Sequence, residues 1–542
     1  MLYYLNQRIT NFVENLNSEI YVDKTFLIKE TNRNIRTNNK FMCITRPRRF
    51  GKTLALSMLN DYYCNKFNSK ELFNNLKISK EDCFIKHLNK HNVFFIDMAN
   101  VYTGLRNKSK FIDELEKNII NDLDVTFPNV LTKKENTAGK ALVKINQTLN
   151  ENFIFLIDEW DVVYREQENN FKLCEEYSEF LRNLFKSSNV AACLDLVYMT
   201  GILPIKRYST QSTLNMFTEY NMIDSANLTE FIGFTEEEVR NLCFKYNRDF
   251  NTIKNWYDGY KLNGIEIYNP KSVVEAISRN KCGDYWVLTS STEAVSNYMN
   301  YDNGELKSII AKLIVGEKIE IDVSLFVNDL TQVNSKDAAL TVLIHLGYLA
   351  YDEESKSCYI PNYEIKQEFI TALKKLDWQE LNNPISNSKK LYEETLKGNT
   401  EYINSILDKN HKELAGPFNK NKEDVLGIIV ALSYDYARNY YNIKKEDTST
   451  LGRSDISFIP KDNTHIPMIV ELKVDSTPEK AIAQIKEKEY FNSLGNYKGK
   501  VLLLGISYDS KNLKHSSKES VISTYWQKRL IRKDELFLNI FR

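Results

Sequence analysis

The sequence has few of the residues that disclose a function at once. Eight cysteines are spread through 542 residues, no two neighbours closer than 19 positions, so no CxxC-type zinc site is available. Ten prolines and 18 glycines form no Pro-rich or Gly/Ser-rich linker, and no internal repeat is visible, so domain boundaries rest on pattern alone. Net charge is zero, 72 Lys plus Arg against 72 Asp plus Glu, which excludes a basic field over the whole chain; any polyanion site must be local. No apolar run approaches the ~20 residues of a membrane span. The start, Met1-Leu2-Tyr3-Tyr4-Leu5-Asn6, lacks a basic segment leading into an apolar one. The expectation is a cytoplasmic protein with reduced thiols and no membrane partner.

What is present fits a large folded protein. Apolar residues at 42% and charged residues at 27% are ordinary soluble values, and the length allows three or four domains. Residues 1–230 alternate short apolar runs with charged helical segments. Phe41–Thr45, Val93–Asp97, Phe153–Asp158 and Leu196–Thr200 are too apolar for half-exposed strands and predict an α/β domain with a mostly parallel sheet covered on both faces. Residues 231–385 read as mainly helical. Within them, a helix Ser335–Leu346 stopped by Gly347, strands Tyr348–Tyr351 and Cys358–Ile360 around a polar turn, and a new helix near Glu364 have the order of either a winged helix or an ordinary hairpin packed between helices. Residues 386–542 begin with a helical stretch, Ser388–Tyr441. Strands Asp455–Ile459 and Met468–Lys473, a helix Pro478–Phe491 and a strand Lys500–Ile506 then form a second α/β unit.

The first candidate site follows the strand Phe41–Thr45. Arg46-Pro47-Arg48-Arg49-Phe50-Gly51-Lys52-Thr53 leads into a helix, the layout of a phosphate loop. Backbone N–H groups and the helix N-terminus would cradle phosphate, Lys52 would reach the β and γ oxygens, and Thr53 would hold Mg²⁺. Arg46 stands where such a loop usually has a leading glycine, and Arg46, Arg48 and Arg49 add positive charge beside the phosphate. Alone, this is also a basic turn before a helix. The strand Phe153–Ile157 ending in Asp158-Glu159 favours the nucleotide reading, since an acidic pair at a strand's carboxyl end holds Mg²⁺ and orients a water. Thr200, at the end of another strand, and Asp97 are placed to sense a γ-phosphate or to make turns.

The second candidate site is in Ile469-Val470-Glu471-Leu472-Lys473, where strand alternation puts Glu471 and Lys473 on one face. An antiparallel pairing with the upstream strand would bring Asp455 beside Glu471. Two such carboxylates bind Mg²⁺ or Mn²⁺, and a lysine polarises water or stabilises charge in phosphodiester hydrolysis. Gln484, on the following helix, would reach the same metal site. Glu423 is either a further acid or a helix N-terminal charge. Lys511–Lys533, basic and containing Tyr525 and Trp526, reads either as a nucleic-acid track or as a solvated amphipathic helix.

Taken together, the motifs resemble a bacterial and archaeal family that joins an AAA-ATPase-like domain to a C-terminal nuclease of the PD-(D/E)XK superfamily. Besides the loop, the resemblance rests on Tyr21-Val22-Asp23-Lys24-Thr25, Ile157-Asp158-Glu159-Trp160-Asp161, Thr200-Gly201-Ile202-Leu203, Trp256-Tyr257-Asp258-Gly259-Tyr260, Tyr268-Asn269-Pro270 and Ile360-Pro361-Asn362. Gly452-Arg453-Ser454-Asp455, Glu471-Leu472-Lys473 and Ala483-Gln484-Ile485 with Tyr490 complete it at the C-terminus. The family's loop itself lacks the leading glycine. The resemblance implies a P-loop domain of the ASCE type, a helical middle region and a restriction-endonuclease-like core. The Trp256–Tyr260 segment carries no evident chemistry and is expected to be a buried aromatic turn that packs domains together. The expected activity is a nucleotide-gated, Mg²⁺-dependent nuclease that binds ATP, acts on nucleic acid, DNA before RNA, and suits a defence role against phage or mobile DNA; homo-oligomerisation is left open. Its rivals are a nucleic-acid-binding or signalling protein with a non-cleaving core, and an ATPase switch with no nucleic-acid partner.

Overall fold

The strand Phe41–Thr45 (β1) is buried along its whole length, as an apolar run covered on both faces must be. The computed structural model describes residues 2–166, 171–205, 214–286, 305–325, 335–376, 378–414, 423–449, 452–494 and 497–523. The chain divides into two compact units, Met1–Tyr301 with Ile319–Glu368, and Asp302–Lys318 with Phe369–Arg542.

In the first unit, Asn92–Asp97 (β2), Phe153–Asp158 (β3), Leu194–Gly201 (β4) and Thr218–Tyr220 (β5) join β1 in a sheet of order β2-β3-β4-β1-β5. All its pairings are parallel. One strand, β4, therefore separates β1 from β3, and the carboxyl ends of all three open on the same edge, where ligands of parallel sheets bind. Phe94 and Phe155 stack across β2 and β3 at 4.6 Å, in a core continued by Phe111, Tyr177 and Phe185.

Two smaller modules complete this unit. Phe234–Thr235 (β6), Tyr260–Leu262 (β7) and Ile265–Tyr268 (β8) form a sheet beside the helices Glu236–Lys245 and Pro270–Arg279. Thr235 and Glu238 close a capping box on the first helix, and Asn269 caps the second ahead of Pro270. The helix Lys336–Leu346 starts at the Ser335 cap and stops at Gly347, whose φ of +87° is left-handed. Ala350–Asp352 (β10) and Ser357–Tyr359 (β11) follow, then the helix Tyr363–Lys375, of which the part up to Glu368 belongs to this unit. This is the helix, hairpin, helix order legible in the sequence. A third strand, Ile319–Glu320 (β9), pairs with β11 and gave no sequence signal, being two residues long.

The Trp256–Tyr260 segment ties these modules together. Tyr359 Oη donates to Gly259 O at 2.9 Å, Asn362 Nδ2 to Asp258 O at 2.8 Å, and Trp256 meets the Tyr363 ring edge-on at 4.6 Å. Gly259 has φ +106°, and a Cβ there would overlap the Pro361 backbone.

In the second unit, Tyr441–Ser449 (β12), Gly452–Pro460 (β13), Met468–Val474 (β14), Lys500–Asp509 (β15) and Lys514–Ser523 (β16) lie in chain order. Only β14 and β15 are parallel, and the helix Pro478–Glu487 lies on the crossover that parallel strands require. The expected helical stretch Ser388–Tyr441 contains the helices Thr400–Leu414 and Glu423–Ser433 and the second half of Gln379–Leu396. Lys514–Ser523 is a strand, which corrects the amphipathic-helix reading for that part of Lys511–Lys533; its alternating Ser and Lys follow a period of two. Tyr525 and Trp526 lie outside the described residues. No helix among the described residues is long and apolar enough to cross a membrane.

Replacing Gly259 by Ala should destabilise the first unit by about 2–4 kcal/mol, through left-handed strain and overlap with Pro361. Calorimetry should show its unfolding midpoint falling while that of the second unit stays in place.

Candidate nucleotide site and carboxylate centre

Gly51, with φ +93°, turns the loop after β1 into the helix Lys52–Tyr63 and is that helix's N-cap. Lys52 is 7% exposed, and its Nζ donates to Arg46 O and Pro47 O, both at 2.8 Å. Burial pushes its ammonium down to about 8, against the pull of Asp158 and Glu159. Thr53 Oγ1 donates to Asp158 Oδ2 at 2.5 Å, and Thr200 Oγ1 donates to Asp158 Oδ1 at 2.5 Å. The strand order brings these groups together: Asp158 ends β3, Thr200 sits on the adjacent β4, and Thr53 opens the helix after β1. Burial raises the Asp158 carboxyl, while the two threonines and Lys52 pull it back. Thr53 and Asp158 are oxygen donors already side by side, a set that fits Mg²⁺.

Glu159, at φ +50°, is ion-paired with Arg165. Burial raises its carboxyl, but Arg165 outweighs it and the net shift is down. Arg165 also meets Asp161 at 3.1 Å. Asp161 is fully buried, and its Oδ2 accepts from Ile202 N at 3.1 Å and Leu203 N at 2.9 Å. A Cβ on Gly201 would come within 2.6 Å of the Trp160 ring. The segments 157–161 and 200–203 are thus one interlocked corner. Asp97 caps its own helix by accepting from Asn100 N.

Arg46 is placed apart from the other loop residues. Its guanidinium is fully buried and donates from Nη1 to Thr45 O at 2.9 Å and Asn221 O at 2.9 Å, bracing the end of β5. Burial lowers it to about 10, with Tyr198 opposing. Arg46 therefore takes the place of the leading glycine as a structural brace, while Arg48 and Arg49 line the cavity.

That cavity, about 850 Å³, suits a nucleotide in size. Arg48 to Ala55 and Glu159 form one wall. The other wall escaped sequence reasoning: Ile20, Tyr21 and Val22 with Phe234, Lys271 and Val274. Its only signals were the quoted motifs around Tyr21 and Asn269. Lys24 fixes this wall by donating to Glu230 O at 2.6 Å and Glu238 Oε2 at 2.5 Å.

In the second unit, β13 pairs with β14 antiparallel, with Ile456 opposite Val470. That register places Asp455 beside Glu471, and Asp455 Oδ2 accepts from Leu472 N at 2.7 Å. Lys473 Nζ meets Glu471 Oε1 at 2.9 Å, and Gln484 Nε2 donates to the same oxygen. Gln484 also donates to Tyr490 Oη at 3.0 Å. Glu471 is 1% exposed, and its Oε2 is buried with no hydrogen-bond partner among the described residues. Burial and then the Asp455 charge raise its carboxyl to about 7, against Lys473. A buried carboxylate with a second carboxylate opposite it on the paired strand fits a divalent cation. No group of three or more His, Cys, Asp or Glu side chains suited to a metal occurs among the described residues. The Glu423 side chain lies outside the described residues.

Known proteins match the chain in the same two places. Residues 8–210 match the family model AAA-ATPase-like, described as a predicted AAA-ATPase, and residues 422–518 match the PD-(D/E)XK nuclease superfamily. An uncharacterized protein in the vnfD 5′ region of Azotobacter chroococcum mcd 1 is 21% identical over 524 residues, 91% of this chain and 94% of its own. Among solved structures, the ORC2 protein of Aeropyrum pernix, in ADPNP and ADP complexes, covers 69% of this chain and 99% of its own at 12% identity with a TM-score of 0.31.

Replacing Arg46 by Ala should cost about 2–4 kcal/mol of stability through a cavity and orphaned carbonyls. Calorimetry should read a lower unfolding midpoint. Titration of the folded protein with Mg-ATP should show affinity within threefold of wild type, whereas Lys52→Ala should lose at least fiftyfold.

Proposed function

For a chain that joins an AAA-ATPase-like domain to a PD-(D/E)XK nuclease-superfamily domain, we propose a metal-dependent nuclease whose action is set by a nucleotide, ATP before GTP, bound at the phosphate loop. The observation that carries this reading is the Glu471 carboxylate: one oxygen holds Lys473 and Gln484, the other is buried, and Asp455 stands opposite it on the paired strand. A bound Mg²⁺ or Mn²⁺ would supply a Lewis acid and an acidified water there. Asp455 and Glu471 would hold it, Lys473 would orient the attacking water and offset negative charge on the phosphate, and Gln484 would fix the carboxylate's rotamer. The substrate is nucleic acid, with DNA preferred to RNA.

At the loop, Lys52 would exchange two backbone carbonyls for phosphate oxygens, and Thr53 and Asp158 would hold the nucleotide's Mg²⁺. Glu159 would orient the hydrolytic water once its pairing with Arg165 loosens, and Thr200 would keep Asp158 in register. Residues 1–230 would carry the nucleotide, 231–385 would relay its state, and 386–542 would cut. A nuclease held in check in this way fits defence against phage or mobile DNA.

Lys473→Ala and Glu471→Gln should each lower cleavage at least 100-fold in Mg²⁺ or Mn²⁺, with circular dichroism unchanged. Single- and double-stranded DNA and RNA, with and without ATP, are the substrates to run. Cleavage unaffected by Lys473→Ala would sink the proposal.

A further inference from the structure

The phosphate loop has two faces. One lines the cavity through Arg48 to Thr53. The other is held by the module that follows. A Cβ on Gly347 would come within 2.5 Å of the Pro47 ring, so this glycine is required both by its φ of +87° and by the loop's approach. Trp286 Nε1 donates to Arg48 O at 3.1 Å. Phe50 packs edge-on against Tyr260, with ring centres 5.6 Å apart, and Tyr260 Oη donates to Gly347 O at 2.5 Å. Residues 47, 48 and 50 are thus gripped in succession from one side.

The grip is itself fixed. Trp286 is 2% exposed and meets the Tyr348 ring at 4.9 Å. Its backbone N–H donates to Glu364 Oε1 at 2.9 Å, and the same oxygen accepts from Tyr285 N at 2.7 Å and Ser272 Oγ at 3.0 Å. Ser272 follows Lys271, which lines the far wall of the cavity. Glu364 stands in the first turn of the helix Tyr363–Lys375.

We infer that Trp286, with Tyr260 and Gly347, positions the phosphate loop for nucleotide, so that loading the cavity and seating the helix–hairpin module form one coupled equilibrium. This rests on the reading of the cavity as a nucleotide site. The loop carbonyls of Arg46 and Pro47 now hold Lys52. When Lys52 turns to phosphate, those carbonyls are released while Arg48 O stays latched by the indole. The latch keeps the loop from relaxing out of its cradle, and by reciprocity the phosphate tightens the latch.

The test uses the full chain and the non-hydrolysable analogue Mg-AMPPNP, by calorimetric titration and by tryptophan fluorescence. Trp286→Phe keeps an aromatic ring on Tyr348 and removes only the donor. Expected is about a fivefold or greater loss of affinity, the weight of one hydrogen bond, together with a smaller nucleotide-induced change in emission. Trp256→Phe, the same substitution at an indole that does not touch the loop, should stay within twofold of wild type and keep the emission change. Equal affinity in Trp286→Phe and wild type overturns the inference while the nucleotide site stands. Failure of wild type to bind, with Lys52→Ala no different, overturns the nucleotide reading and the inference with it.

Discussion

A single carboxylate between two threonines organises the first unit. Asp158 is 2% exposed, and a buried carboxylate is tolerable only when its oxygens are satisfied. Thr53 takes one oxygen and Thr200 the other, so the helix after β1 and the strands β3 and β4 are fastened at one point. The strand order permits this, because β4 lies between β1 and β3. Around it, the Asp158 charge opposes the burial that lowers the Lys52 ammonium, Glu159 turns aside at a positive φ, and Asp161 pins the segment after Thr200 from the next turn.

The second unit relies on register. With Ile456 opposite Val470, Asp455 comes to Glu471, and a slip of one residue would send one carboxylate to the opposite face. Its helix adds Gln484 from the crossover between β14 and β15. Neither acid is brought in by a flexible loop, so the centre is as rigid as the sheet beneath it.

Much of this was legible in the sequence because periodicity and motif pointed the same way. The buried strands announced themselves as apolar runs, and alternation along 469–473 placed Glu471 with Lys473. Arg46 was not legible: a charge in a phosphate loop reads as a phosphate contact, and only the position of the Tyr220 and Asn221 carbonyls at the end of β5 shows that the guanidinium turns away from the cavity. The far wall of the cavity was hidden for a related reason. Ile20, Val22 and Val274 are ordinary apolar residues, and what makes them a wall is contact between segments about 250 residues apart. Strands β12 and β16 carry polar residues on edges and lack the apolar signature that marked β3 and β14.

The order of the two units along the chain sets the order in which the protein is made. The first unit is complete once residue 368 has been synthesised, whereas the carboxylate centre needs Gln484, 116 residues later. At ~5–20 residues per second, this interval is roughly 6–23 s. On the proposed function, the ribosome builds the part that restrains the nuclease before the part that cuts, and a nascent chain carries no complete cutting centre without its restraint.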